Sequence, residues 1–185
     1  KAAMLDFIRQ KRLACGVYIA PYVITACFEN GAPDLGYELL TSDDKRSWRE
    51  MLRHGATACL EAWSPNDKKN MSWCHPWSSS PVYLWPERVA GLSPVEPGWK
   101  RVRIAPPALA GLPEFFLKAP LPEGRTITVR YFPERGYLVD LPIGLPHESE
   151  GDSVSCRERR SLGPIQPESE LDRLMAQCGW REKVG

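Results

Sequence analysis

The stretch SPVYLWPERVAGLSPVEPGWKRVRIAP, Ser80 to Pro106, is where one kind of chain gives way to another. At its start, Ser80-Pro81 reads as an N-cap followed by proline at the first helical position, and Gly91 reads as the stop. Pro86 inside this run predicts a kink or an early end. The texture changes near Pro94. Lys100–Ala105 alternates, with Val102 and Ile104 facing one way and Arg101 and Arg103 the other, which is the period of a strand.

Upstream of this boundary the sequence reads as helices. Ala2–Arg12 places Met4, Leu5 and Ile8 at helical spacing, with Leu13 continuing the pattern. Tyr18–Glu29 is apolar almost all round and stops at Asn30-Gly31, so burial on every side is expected. Pro33–Leu40 is a third helix, and Ser47-x-x-Glu50 is a capping box that opens a fourth, Trp48–Arg53. Downstream, Phe115–Ala119, Thr126–Phe132 and Tyr137–Leu141 alternate with period two, with Gly124 and Gly136 at turns, as short antiparallel strands do. Glu148–Pro167 is polar and reads as a loop or disordered stretch. Pro167 could start a last helix, 168–178. The expected division is therefore a helical part at 1–95, a small antiparallel β-sandwich at 96–147, and a tail at 148–185. This is an α+β multidomain organisation.

Composition narrows the function classes. The 185 residues carry 24 Lys+Arg against 23 Asp+Glu, a formal net charge of +1, which argues against nucleic acid as the main partner. No run reaches the roughly 18 apolar residues that a membrane span needs. The six cysteines form no C-x-x-C unit and lie mostly in apolar or helical contexts, so reduced, buried thiols and a cytoplasmic, reducing compartment are expected. The 18 prolines and 7 tryptophans are unevenly spread, with the prolines concentrated from Pro81 to Pro146 and the tryptophans from Trp48 to Trp99. The chain opens on Lys1 rather than Met, and a truncated, engineered or processed chain is the expectation.

Chemistry concentrates in GATACLEAWSPNDKKNMSWCHPWSSS, Gly55 to Ser80. Glu61 sits between Leu60 and Ala62 and before Trp63, a setting whose desolvation disfavours the charged form unless partners intervene. His75 lies among Trp73, Pro76 and Trp77. Aromatic faces stack on the apolar faces of sugar rings, carboxylate and imidazole bind hydroxyls, and carboxylates carry glycoside hydrolysis. The plainer readings are a structural acceptor for Glu61, a satisfied core or surface residue for His75, and core packing for the tryptophans.

The ordered set of motifs VYIAPYVITACFENGAPDLGYELL (Val17–Leu40), SWREMLRHGATACLEAW (Ser47–Trp63) and SWCHPWSSSPVYLWPERVAGLSPVEPGWKRVRIAP (Ser72–Pro106) resembles the C-terminal part of bacterial-type α-L-rhamnosidases, glycoside hydrolase family 78. The resemblance covers about residues 1–145. It implies the last helices of an (α/α)6 barrel followed by a C-terminal β-sandwich, with the apolar second helix on the inside of the barrel. It implies hydrolysis by inversion of terminal α-L-rhamnosyl residues in a rhamnosylated glycoside or oligosaccharide. Glu61 then falls on the general base and His75 on a sugar-binding histidine, while Trp63 and Trp77 lie in the same substrate-binding motifs. No cofactor is implied, and the carboxylates are not clustered as a Ca²⁺ site needs.

A barrel of six helical hairpins needs on the order of 250 residues, far more than the helical part here supplies. The general acid of the family comes from an upstream motif, so this chain alone is expected to be inactive. Apolar surface meant for neighbouring barrel helices would favour self-association. Two other readings are a non-catalytic carbohydrate-binding or interaction protein derived from the family, and a different (α/α)6-barrel glycosidase.

Overall fold

The computed structural model describes residues 1–159, so the expected helix at 168–178 lies outside the described residues. Five helices come first: α1 (Ala2–Lys11), α2 (Ala20–Glu29), α3 (Pro33–Leu40), α4 (Trp48–Arg53) and α5 (Pro81–Leu84). Seven strands follow: β1 (Leu92–Pro94), β2 (Val102–Ile104), β3 (Phe115–Pro120), β4 (Thr126–Phe132), β5 (Gly136–Pro142), β6 (His147–Ser149) and β7 (Val154–Arg159).

Local sequence accounts for most helix ends. Pro21 and Pro33 stand in the first turns of α2 and α3, where a missing N–H costs nothing. The Ser47 hydroxyl accepts from the Glu50 N–H at 3.1 Å, one half of the expected capping box. The Glu50 carboxylate does not return to the cap. It pairs with Arg53 at 2.9 Å and His54 at 3.3 Å instead. Ser80 does not cap α5. Its own backbone is already helical, and its buried hydroxyl has no partner among the described residues. Pro86 acts as expected. The α5 turn loosens into a π-type turn over Trp85–Val89.

The expectation that the second helix is buried on all sides needs correction. Ala20, Pro21, Ile24 and Cys27 are buried against the core, but Tyr22 is 71% exposed. With Phe7, Ile19, Val82 and Tyr83 it belongs to the exposed apolar side chains of the helical part. The buried face packs against α3 through Leu35 and Leu39. Burial of a side chain such as Ile24 or Leu39 contributes about 1.5–3 kcal/mol.

The strands form two sheets, β1-β2-β6 and β3-β4-β5-β7. The expected all-antiparallel pairing also needs correction. β1–β2, β3–β4 and β4–β5 are antiparallel, but β2–β6 and β5–β7 are parallel. Nor is Glu148–Pro167 simply a loop, because β6 and β7 run through its first half. β1 lies before residue 95, and β6 and β7 reach past 147, so the sheets extend beyond the expected limits on both sides. β7 is held by more than its backbone ladder. Asp140 of β5, buried at the sheet, accepts from Arg157 and pairs with Arg159 at 3.2 Å and Arg130 at 3.4 Å.

The helical and sheet parts share one core. Gly91 makes the corner between them at φ +69°, and a Cβ there would lie 2.2 Å from the Pro106 nitrogen. The Gly91 carbonyl accepts from the Ala105 N–H at 2.9 Å, and Leu92 pairs with Ile104 immediately beyond. Trp85 meets Tyr37 (6.1 Å) on one side and Phe115 (5.7 Å) on the other, and Phe115 stacks on Tyr131. This aromatic chain ends at Tyr137, whose burial pushes its hydroxyl pKa up to about 12.

Candidate functional site

The segment between α4 and α5 is held in place by short backbone bonds. The His75 N–H donates to the Cys59 carbonyl at 2.8 Å, and the Glu61 N–H donates to the Ser72 carbonyl at 3.0 Å. Residues 59–61 and 72–75 therefore run side by side, and the loop between them folds back over Glu61. Leu60 is fully buried and anchors the first of these segments in the core. A Pro76–Ser78 turn follows His75, and the His75 carbonyl accepts from both the N–H and the hydroxyl of Ser78.

Glu61 keeps only 16% of its side chain exposed. One carboxylate oxygen accepts from the Lys68 ammonium, and the other accepts from the Ser72 N–H at 2.9 Å. The Lys68 bond is the main cause that holds the Glu61 carboxyl below the usual glutamate range. The Ser72 N–H and the charge fields of Lys68 and His75 act in the same direction, and partial desolvation opposes them. The apolar neighbours in the sequence suggested a charged form at a disadvantage. The fold reverses this with one ammonium and one backbone N–H.

His75 is not hydrogen-bonded to Glu61. Its Nε2 lies 2.9 Å from the Tyr18 hydroxyl, contributed by the turn that leads into α2. Tyr18 also meets Trp77 edge-on at 5.6 Å, and Trp77 is 76% exposed beside it. Trp63 differs in kind. It is 3% exposed, its indole N–H donates to the Cys15 carbonyl at 2.7 Å, and its ring stands edge-on to Trp48 at 5.1 Å. That burial leaves Trp63 a supporting wall, whereas Trp77 offers a free face.

A cleft of about 330 Å³ lies between the α1–α2 connection and the Glu61 loop, lined among others by Tyr18, Arg46, Glu61, Trp63 and Asp67. A wider, charged cleft of about 590 Å³ adjoins it and shares Arg46 and Asp67. The four residues singled out from sequence thus reach the site differently. Glu61 and Trp63 line the cleft, His75 is joined to it through Tyr18, and Trp77 stands at Tyr18's side. Sequence reading missed Lys68 and Tyr18. Lys68 had a weak signal in the basic pair Lys68-Lys69, but Tyr18, 57 positions from its partner, had none. Among the described residues no three His, Cys, Asp or Glu side chains converge to hold a metal ion. Nor is any described helix long and apolar enough to cross a membrane.

Comparison with known proteins places this fold. The family model for the bacterial α-L-rhamnosidase six-hairpin glycosidase domain matches residues 4–89, and that for the bacterial α-L-rhamnosidase C-terminal domain matches residues 91–161. The two meet at the Gly91 corner. An α-L-rhamnosidase of Formosa agariphila is 23% identical over 203 aligned positions, which cover 98% of this chain and 22% of that protein. The crystal structure of the family 78 rhamnosidase of Bacillus sp. GL1 superposes with a TM-score of 0.64 at 22% identity, over 80% of this chain and 17% of that one. The α-L-rhamnosidase of Aspergillus terreus gives a TM-score of 0.60 at 22% identity, over 71% of this chain and 16% of that one. The chain therefore spans about a fifth of the length of these relatives. With a helical part and a strand part each matched in order by its own domain model, the chain belongs to the bacterial α-L-rhamnosidase family.

Proposed function

We propose that this chain carries the general-base side of an inverting α-L-rhamnosidase that removes terminal α-L-rhamnosyl residues from glycosides. The observation that carries the reading is Glu61, a carboxylate kept ionised at the edge of a cleft by Lys68 and the Ser72 N–H. An inverting base must be ionised at the start of the reaction. It takes a proton from water as that water attacks the anomeric carbon from the face opposite the departing oxygen. A second carboxyl group, roughly 6.5–9.5 Å away, protonates that oxygen. On this reading the acid is supplied by the upstream part of the barrel, of which α1–α5 are the last helices, and the isolated 185-residue chain is inactive. His75 contacts a ring hydroxyl, Trp77 offers its exposed face to a sugar, and Trp63 backs the pocket.

The test is the Glu61→Gln variant in a protein that joins this chain to the upstream hairpins, assayed on an aryl α-L-rhamnoside. Loss of a general base is expected to cost on the order of 10²–10⁴-fold in kcat, with rhamnose binding largely kept. Proton NMR of the unmodified enzyme should show the β-anomer of rhamnose formed first. Near-normal turnover by the variant, or first formation of the α-anomer, overturns the reading.

Self-association of the isolated chain belongs to the same reading. Phe7, Ile19, Tyr22, Val82 and Tyr83 expose apolar area that barrel neighbours would cover in a longer protein.

A further inference from the structure

The backbone of His75 is fixed on both sides, by its N–H on the Cys59 carbonyl and by its carbonyl under Ser78. What remains free is the ring. Among the described residues its one hydrogen-bond partner is the Tyr18 hydroxyl, at 2.9 Å from Nε2. Tyr18 is itself held in a turn, where the Ile19 and Ala20 N–H groups both donate to the Gly16 carbonyl. Its ring meets His75 and Trp77 edge-on, each at 5.6 Å. Tyr18 thus touches both sugar-contact residues proposed above and lines the cleft that holds Glu61.

A neutral imidazole has one donor nitrogen and one acceptor nitrogen, and the partner of one decides the role of the other. A phenol is a stronger donor than acceptor, and an imidazole nitrogen is a strong acceptor. We propose that Tyr18 is a positioning residue for His75: its hydroxyl donates to Nε2, which fixes the ring proton on Nδ1 and leaves an N–H for a substrate hydroxyl. This rests on the reading of His75 as a sugar ligand. A sugar hydroxyl can accept from the Nδ1 N–H, whereas a His75 with its proton on Nε2 would present only an acceptor at that nitrogen.

The experiment is long-range ¹H–¹⁵N correlation NMR on the ¹⁵N-histidine-labelled 185-residue chain at a pH where histidine is neutral. The expected result is His75 protonated on Nδ1. In Tyr18→Phe, which keeps the ring contacts and removes the hydroxyl, the Nδ1-H to Nε2-H ratio should fall about two- to ten-fold, the weight of one neutral hydrogen bond. A wild-type His75 protonated on Nε2 overturns the proposal even if the variant fails to fold, and so does an unchanged ratio in a folded variant. A titration with L-rhamnose of the protein that joins this chain to the upstream hairpins provides a second arm. Tyr18→Phe should weaken binding as His75→Ala does, and the double variant should lose nothing further. Independent, additive losses overturn the positioning role. A joined protein that binds no rhamnose counts against the proposed function, while the tautomer measurement still decides the role of Tyr18.

Discussion

Replacing Gly91 by Ala should be among the more damaging single-methyl changes in this molecule, and its cost can be divided. The residue sits at φ +69°, where an L side chain costs roughly 1–2 kcal/mol. The added Cβ would lie 2.2 Å from the Pro106 nitrogen, 2.3 Å from the Ala105 carbonyl carbon and 2.5 Å from the Pro106 Cα. All three are backbone atoms, so no side chain can swing away. Relief requires moving the β2 end away from β1, at the Gly91–Ala105 hydrogen bond and the Leu92–Ile104 pair. Overpacking of this kind costs about 1–3 kcal/mol, which brings the total to about 2–5 kcal/mol. A domain of this size has about 5–15 kcal/mol in all. Gly98 is the control, with φ +73° but nothing within 4 Å of its added Cβ, so Gly98→Ala should show the conformational cost alone. In urea unfolding followed by circular dichroism, with a slope of about 2 kcal/mol per M, Gly91→Ala should lower the midpoint by about 1–2.5 M. Gly98→Ala should lower it by about 0.5–1 M. Equal midpoints for the two variants would refute the claim that backbone contact at Pro106 defines the corner.

Two further expectations concern the site and the helical face. Lys68→Met removes the largest cause of Glu61's low pKa, so the Glu61 carboxyl should titrate at higher pH by ¹³C NMR, and the acid limb of activity in a complete enzyme should move up with it. A limb that stays in place would mean that Lys68 does not govern the ionisation of Glu61. Sedimentation velocity of the 185-residue chain should show concentration-dependent self-association that Tyr22→Gln weakens, and a monomer at all concentrations would contradict it.

The helical part was legible because its signals are local. Proline in first turns, a serine cap at Ser47 and the 3.6-residue spacing of Leu5 and Ile8 act within a few residues of themselves. Strands β2 to β5 were legible for the same reason, through alternation between glycine turns. β6 and β7 were not. His147–Ser149 is exposed throughout and Val154–Arg159 is mostly polar, so no hydrophobic period marks them. They are strands because β2 and β5 offer open edges and because Asp140 attracts Arg157 and Arg159, which are tertiary facts. The site divides in the same way. Glu61 and His75 stand out by motif, but what each side chain bonds to is set by Lys68 and by Tyr18 from another element. That Trp63 would be buried and Trp77 exposed could not be read from two tryptophans in similar settings.

The two parallel pairings have a consequence for how the chain acquires its shape. After β5 the chain crosses to the other sheet as β6 beside β2, then returns as β7 beside β5, so it laces the sheets together in the order of synthesis. β5, most of whose residues end up buried, thus emerges from the ribosome with a bare edge and stays so until residues 154–159 follow. Such an unpaired apolar edge is the kind of surface on which nascent chains stick to one another. The sheets are therefore made late and together, and neither can be finished as an independent unit.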